Sequence, residues 1–241
     1  MAVPVVKTSE RPVDFVNGYG EIEVLKGTHK LVRCFKCELK AGSTVHPKLF
    51  ADSGVFYCFT KGRGYITTKE EAFNIKELSF FCPDWDHDSY AIYAATDMEF
   101  VKFVTFMVPS DWKHYEETHS ILPFFKSVSQ GQPYTQSCKG PHTMSWSIMS
   151  PGQAGRFLCG VVKGVGKGEG TVEKGHPSVD QWNVILEGSD ILMDVDGEKV
   201  HHVAGEISYI YAGPDHSLIP NGPDKTCYYI WFEHKTAEWE D

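Results

Sequence analysis

Long apolar runs are missing from this 241-residue chain: no stretch approaches the roughly 20 consecutive apolar residues that a membrane span requires. The opening MAVPVVKTSERP also lacks the positively charged start and apolar run of a secretory leader, so the expected compartment is the cytoplasm. Basic charge is in the minority. Lys and Arg number 23 against 32 Asp and Glu, a net charge of −9 that excludes a nucleic-acid backbone or an anionic membrane as the main partner. Seven cysteines scattered through both halves are an odd and sparse set, which excludes a disulfide framework and predicts reduced, mostly buried thiols. Sustained helical periodicity is missing too. The one helical candidate is Ser110 to Phe125, SDWKHYEETHSILPFF, which opens on a Ser-Asp capping signal and is expected to sit as a clamp between two domains. What remains is a soluble globular protein whose partners are small molecules or other proteins.

What is present is β-rich and said twice. Aromatic and β-branched runs such as GVFYCFT, ELSFFC, EFVKFVTFMV, WNVILEG, EISYIY and CYYIWFEH are separated by Gly, Pro, Asn and Asp. The first half carries TVHP (Thr44 to Pro47), then ELSFFCPDWDH ending at His87. The second carries TVEKGHP (Thr171 to Pro177), then EISYIYAGPDH ending at His216. Glu77 and Ser79 fall on Glu206 and Ser208, and Asp86-His87 falls on Asp215-His216, at a constant offset of 129. A long fixed period signals a duplicated structural unit. The expected organisation is an amino-terminal barrel over residues 1–108, a helix and linker over 109–140, and a carboxy-terminal barrel over 141–241. Many short strands with turn signals, and no helices to cover a parallel sheet, predict an all-β fold.

In the second half the spacing Lys174-Gly-His176, Gln181, Gly188, Gly205 and then GPDHSLIPN (Gly213 to Asn221) is similar to the two-part signature of the cupin superfamily. The resemblance implies two tandem jelly-roll barrels, with a layout similar to ureidoglycine aminohydrolase and related small-molecule enzymes. It also implies His176, Gln181 and His216 as metal ligands, with Lys174 standing where a first His ligand would be and Glu173 or Asp180 as candidates for a fourth. In the first half His46 and His87 match, but Val55 stands where the carboxamide should be, which implies a degenerate site.

The residues support such a site independently of the family. Side chains alternate along a strand, so Gln181, Asn183 and Ile185 share one face, with Trp182, Val184 and Leu186 on the other. Two imidazoles and an oxygen ligand suit Mn, Fe, Ni or Zn, while the same groups could equally form a hydrogen-bonded pocket without metal. Lys174, if it points inward, would hold a carboxylate or donate a proton; on a Gly-rich loop it could simply be solvated. Asp180 is a second candidate for proton transfer, and Asn183, Tyr209 and Tyr211 for holding a polar substrate. Val162 to Gly170, with glycines at alternate positions, lacks the terminal Lys-Ser/Thr of a phosphate loop and reads as a mobile loop at the barrel mouth.

The expected function is a metal-assisted hydrolase, lyase or isomerase of a small polar carbonyl or carboxylate compound, acting in the carboxy-terminal barrel. A metal-dependent oxygenase and a non-catalytic sugar- or metabolite-binding protein are the alternatives. A homodimer is expected, because aromatic segments such as CYYIWFEH and open sheet edges need cover.

Overall fold

The computed structural model describes residues 3–85, 88–118, 121–150, 152 and 154–239. In chain order the elements are β1 (Val5–Lys7), β2 (Tyr19–Val24), β3 (Val32–Leu39), β4 (Thr44–Val45), β5 (Ser53–Lys61), β6 (Gly64–Thr67), β7 (Ala72–Ile75), β8 (Ser79–Cys82), β9 (Ala91–Ala94), β10 (Met98–Phe106), α1 (Pro109–Thr118) and β11 (Phe124–Ser127). They continue with β12 (Gln132–Pro133), β13 (Met144–Met149), β14 (Phe157–Val165), β15 (Thr171–Glu173), β16 (Val179–Ile185), β17 (Asp190–Val195), β18 (Glu198–Val203), β19 (Glu206–Ile210), β20 (His216–Pro220) and β21 (Thr226–Lys235). The chain divides into two compact units, Glu10–Gln130 and Met1–Ser9 with Gly131–Glu240. Each is a two-sheet jelly roll.

The amino-terminal unit pairs a sheet of order β11-β8-β5-β10-β3-β2 with one of order β4-β9-β6-β7. The carboxy-terminal unit repeats the plan with β1-β19-β16-β21-β14-β13-β12 and β15-β20-β17-β18. In each large sheet the strand equivalent to β8 is extended by a neighbour from outside the repeat. For β19 that neighbour is β1, with Val5 opposite Ser208; for β8 it is β11, with Phe125 opposite Phe81. Residues 1–9 and 131–140 thus lie with the carboxy-terminal barrel. The segment CYYIWFEH is the central strand β21, flanked by β16 and β14, so it is no exposed edge in need of a partner.

The helix is shorter than expected, and the cause is a competing strand. Phe124 and Phe125 pair with Cys82 and Phe81 as β11 instead of continuing α1. Pro109 sits at the first helical position, where its missing N–H costs nothing. Asp111 reaches back to accept a hydrogen bond from the Val108 N–H at 3.1 Å, one half of a capping box. The helix carries Trp112 and Tyr115 against Trp85, and the Tyr115 hydroxyl donates to Asp84 at 2.7 Å. These contacts lie within the amino-terminal unit.

That unit fills its interior with aromatic rings. Tyr57 lies 6.0 to 6.1 Å, centroid to centroid, from Phe59, Phe81, Tyr90 and Phe100. Its hydroxyl pairs with that of Tyr90 at 2.8 Å, so neither buried polar group is orphaned. Each such ring contributes roughly 1.5–3 kcal/mol relative to exposure. The ladders also revise the alignment of the repeats. Gln181 stands opposite Ile210 in β16–β19, and Tyr57 stands opposite Phe81 in β5–β8. Tyr57, not Val55, is therefore the counterpart of Gln181, and a phenol fills the space that a carboxamide lines in the other barrel. Val55 is a core residue with no exposed surface, His46 is exposed, and His87 lies outside the described residues.

Candidate functional site

The carboxy-terminal barrel is open where the other is filled. A cavity of about 470 Å³ lies between its sheets, lined by Tyr134, Lys139, Glu173, His176, Gln181, His216, Tyr229, Trp231 and Glu233 among others. Two strands decide which carboxylate reaches it. In β15, Thr171 is buried and Val172 is 66% exposed, so the alternation turns Glu173 inward and Lys174 out. Glu173 is the direct ladder partner of His216, and its Oε2 lies 3.7 Å from His216 Nε2. His176 returns to the interior after a tight turn: Gly213 N–H donates to the His176 carbonyl at 3.0 Å, and Gly175 N–H donates to Asp215 at 2.7 Å. A Cβ on Gly175 would meet the Gly213 carbonyl oxygen at 1.7 Å, so only glycine allows this approach.

The result is a three-residue cluster. One ligand atom from each of Glu173, His176 and His216 lies within 4.8 Å of the other two, and the two imidazole rings meet edge to face at 5.3 Å. His216 Nδ1 lies 3.2 Å from the Pro214 carbonyl, which can only accept, so Nδ1 carries the proton and Nε2 presents its lone pair inward. That Nε2 and His176 Nδ1 are both buried without a hydrogen-bond partner. Orphaned buried nitrogens beside a carboxylate are the donor set of a borderline divalent cation, so these residues fit one. Burial is the main cause that pulls His216 below the usual histidine range, favouring the neutral form a metal needs.

Gln181 lines the same cavity. Its amide nitrogen donates to Asn183 Oδ1 at 2.7 Å, leaving Oε1 as the end available to a ligand. Asn183 is fully buried beneath it, donating to Ser208 Oγ at 3.2 Å, and so positions Gln181 instead of contacting the cavity.

Four expected site residues lie elsewhere. Lys174 is exposed and does not line the cavity; it stands at an open cleft with Asp194, Asp196 and Asp215 that Glu173 and His216 also border. Asp180 is on the opposite face of β16 from Gln181, where it accepts hydrogen bonds from the Tyr209 hydroxyl at 2.8 Å and the Ala212 N–H at 3.1 Å. Tyr209 shares that face, its ring 4.9 Å from Trp182, and burial followed by the Asp180 contact pushes its phenol well above the ordinary range. Tyr211, past the end of β19, is 42% exposed and outside the cavity.

In their place the cavity holds Glu233 and Lys139. Glu233 sits on the inward face of β21 with Tyr229 and Trp231, and burial, reinforced by Glu173, pushes its carboxyl up to about 8. Lys139 is pulled down by burial, an effect opposed by Cys138, Glu173, Cys227 and Glu233. The signal for Glu233 was the period of two running through Cys227, Tyr229 and Trp231. Lys139 had no local signal. The glycine loop before β15 is fastened, not loose: Glu169 is buried and accepts from Thr143 Oγ1 at 2.7 Å and the His142 N–H at 3.0 Å.

Two antiparallel jelly-roll barrels, one filled and one enclosing a His/Glu-lined cavity, define a protein of the cupin fold. No family model and no curated protein sequence matches the chain. Solved structures do. A Pseudomonas aeruginosa protein described as glyoxylate induced superposes with a TM-score of 0.79 at 12% identity, covering 100% of this chain and 91% of that one. The Ylba protein of E. coli gives 0.75 at 9% identity over 98% of this chain and 91% of its own. Lactobacillus farciminis oxalate decarboxylase, solved as a formate complex, gives 0.74 at 11% identity, covering 99% and 88%. At these identities the likeness is one of fold. Among the described residues, no helix is long and apolar enough to cross a membrane.

Proposed function

We propose that the carboxy-terminal barrel is a metal-assisted enzyme that moves a proton on a small carbonyl-bearing metabolite, as a lyase or isomerase. The observation that carries this reading is the Glu173–His176–His216 cluster, with two orphaned imidazole nitrogens, in a cavity of about 470 Å³. Glu173, His176 and His216 would hold the divalent cation, with Gln181 Oε1 as a further oxygen ligand. A bound Mn, Fe, Ni or Zn ion would supply Lewis-acid polarisation of a carbonyl or enolate oxygen.

The chain's own residues supply the rest. Glu233 is the proton carrier: its carboxyl is raised to about 8, mainly by burial, and it faces the same space as the cluster. Neutralising Glu173 would remove the smaller part of that rise and leave the part due to burial. On the same face of β21 Glu233 lies between Trp231 and Lys235, with Tyr229 further along the same wall. One of the similar structures is an oxalate decarboxylase, which supports a small oxygen-rich substrate. Hydrolysis in the same cavity remains within this reading. A metal-binding protein without turnover is the second reading, since the same three residues would hold a cation without any reaction.

The test is elemental analysis of the purified protein, followed by proton–deuterium exchange of small carbonyl acids monitored by NMR. Stoichiometric metal with exchange that disappears in Glu233→Gln is expected. Metal without exchange leaves the binding reading, and absence of metal from both the purified and the reconstituted protein overturns the proposal.

A further inference from the structure

We infer that Lys139 is the carboxylate anchor of this cavity, so that the site selects small acids over their neutral analogues. The inference rests on the proposed function for the identity of the reacting end and on independent geometry for the anchor.

The ammonium is built into the wall. Residues 138–140 are laced to the chain around β15 by backbone hydrogen bonds, Val172 N–H to the Cys138 carbonyl at 2.8 Å and Gly140 N–H to the Gly170 carbonyl at 3.0 Å, with a bridge between Lys139 and Thr171. Lys139 Nζ donates to Thr171 Oγ1 at 3.2 Å and stands 5.4 Å from the centre of the Tyr134 ring. The same threonine oxygen accepts from the Tyr229 hydroxyl at 3.0 Å. Thr171 and the tyrosine ring hold the ammonium in place; Glu173 and Glu233 act on its charge across the cavity without touching it. Lys139 is half-buried, and an ammonium has three donors of which Thr171 takes one, so two are left to reach a ligand in the cavity. Among the described residues, no ion pair to Lys139 is formed at 4.0 Å or less, although Glu173 and Glu233 face the same cavity.

Position completes the case. Thr171 and Glu173 are two residues apart on one face of β15, a separation of about 7 Å along the strand. The anchor is thus about one pleat from the His/Glu cluster. A compact acid could rest its carboxylate on Lys139 and present a second oxygen, from an oxo, hydroxyl or further carboxyl group, to Glu173, His176 and His216. A neutral amide of the same shape would leave the ammonium without its anion. The role once assigned to Lys174, on the outer face of the same strand, falls to Lys139.

The experiment is binding of pyruvate and malonate against pyruvamide and malonamide, read by calorimetry and by Trp231 fluorescence. It is run on full-length protein with and without saturating Mn, alongside Lys139→Met and Lys139→Arg. Metal stoichiometry, measured separately, reports the cluster and serves as the check of folding. The expected result is at least tenfold tighter binding of the acids than of the amides, loss of that preference in Lys139→Met, its partial return in Lys139→Arg, and unchanged metal content in both variants. Equal binding of acid and amide by the wild type, or an acid preference that survives Lys139→Met, overturns the anchor. Failure of the wild type to bind metal overturns the proposed function instead, and the acid preference of the metal-free protein still decides the anchor.

Discussion

Glu173 and His216 are direct cross-strand partners, and their side chains meet 3.7 Å apart on the inner face of the β15–β20 pair. A ladder partner cannot drift far from its mate, so the carboxylate and the imidazole are held together by backbone hydrogen bonds before any ligand arrives. His176 enters from a turn and is the adjustable member of the group.

This arrangement predicts the ranking of metal-site variants. His176→Ala and His216→Ala should each lower affinity for a divalent ion by more than tenfold, since each removes one of few ligands. Glu173→Gln should weaken it by a similar factor through loss of charge. Lys174→Ala should change nothing. Calorimetric titration with Zn or Mn checks the order, and a Lys174→Ala variant that loses metal while Glu173→Gln keeps it would contradict the strand register.

Asp180 and Tyr209 form a structural pair on the outer face of β16 and β19. Tyr209→Phe removes the phenol's hydrogen bond to the carboxylate, and should cost about 1–2 kcal/mol of stability while metal content and ligand binding stay at wild-type values. Urea unfolding of the metal-free protein measures the cost. Loss of ligand affinity without loss of stability would return Tyr209 to the site.

Glu233 predicts a pH dependence whose sign follows from its raised carboxyl. The folded state holds the proton to about 8, whereas an unfolded glutamate releases it near its ordinary value of 4.5. Its contribution is therefore fully present below that lower value and is lost as pH rises toward 8. Glu233→Gln should remove this decline, so that the metal-free variant gains on the order of 2 kcal/mol relative to wild type between pH 5 and pH 8, water access discounted. Thermal unfolding at both pH values decides it; parallel loss in the two proteins would mean the carboxyl is not buried in solution.

The duplication, the all-β character and the two histidines of the open barrel were legible in the chain because repeats and two-residue periodicity are local patterns. Asp180 was excluded by that same periodicity, being out of phase with Gln181. Proximity in sequence suggested it and strand geometry removed it. The choice between Glu173 and Lys174 was not legible: β15 is three residues long with glycines on either side, too short to show its own phase, and only pairing with His216 settles which side chain points in. Tyr57 was misaligned because the repeats differ in loop length. The offset of 129 at β8 and β19 becomes 124 at β5 and β16. Lys139 lay in a polar, Gly/Pro-punctuated stretch that reads as a linker, and its place in the cavity wall comes from pairing with residues about 30 positions away, which no local window reports.

The amino-terminal barrel should behave as a packed core. Tyr57 is its central ring and fills the place of Gln181, so Tyr57→Ala should open a cavity and cost about 3–5 kcal/mol. Tyr57→Phe keeps the ring but removes the hydrogen bond between the two hydroxyls, and should cost about 1–2 kcal/mol. His46→Ala, at an exposed position, should be neutral within about 0.5 kcal/mol. All three should retain wild-type metal content once folded, because the cluster that fits a cation among the described residues belongs to the other barrel. Urea unfolding followed by elemental analysis of the refolded protein tests both halves of the claim. If His46→Ala lowers metal content as far as His176→Ala does, the amino-terminal barrel is a second metal site and its description as a filled core is wrong.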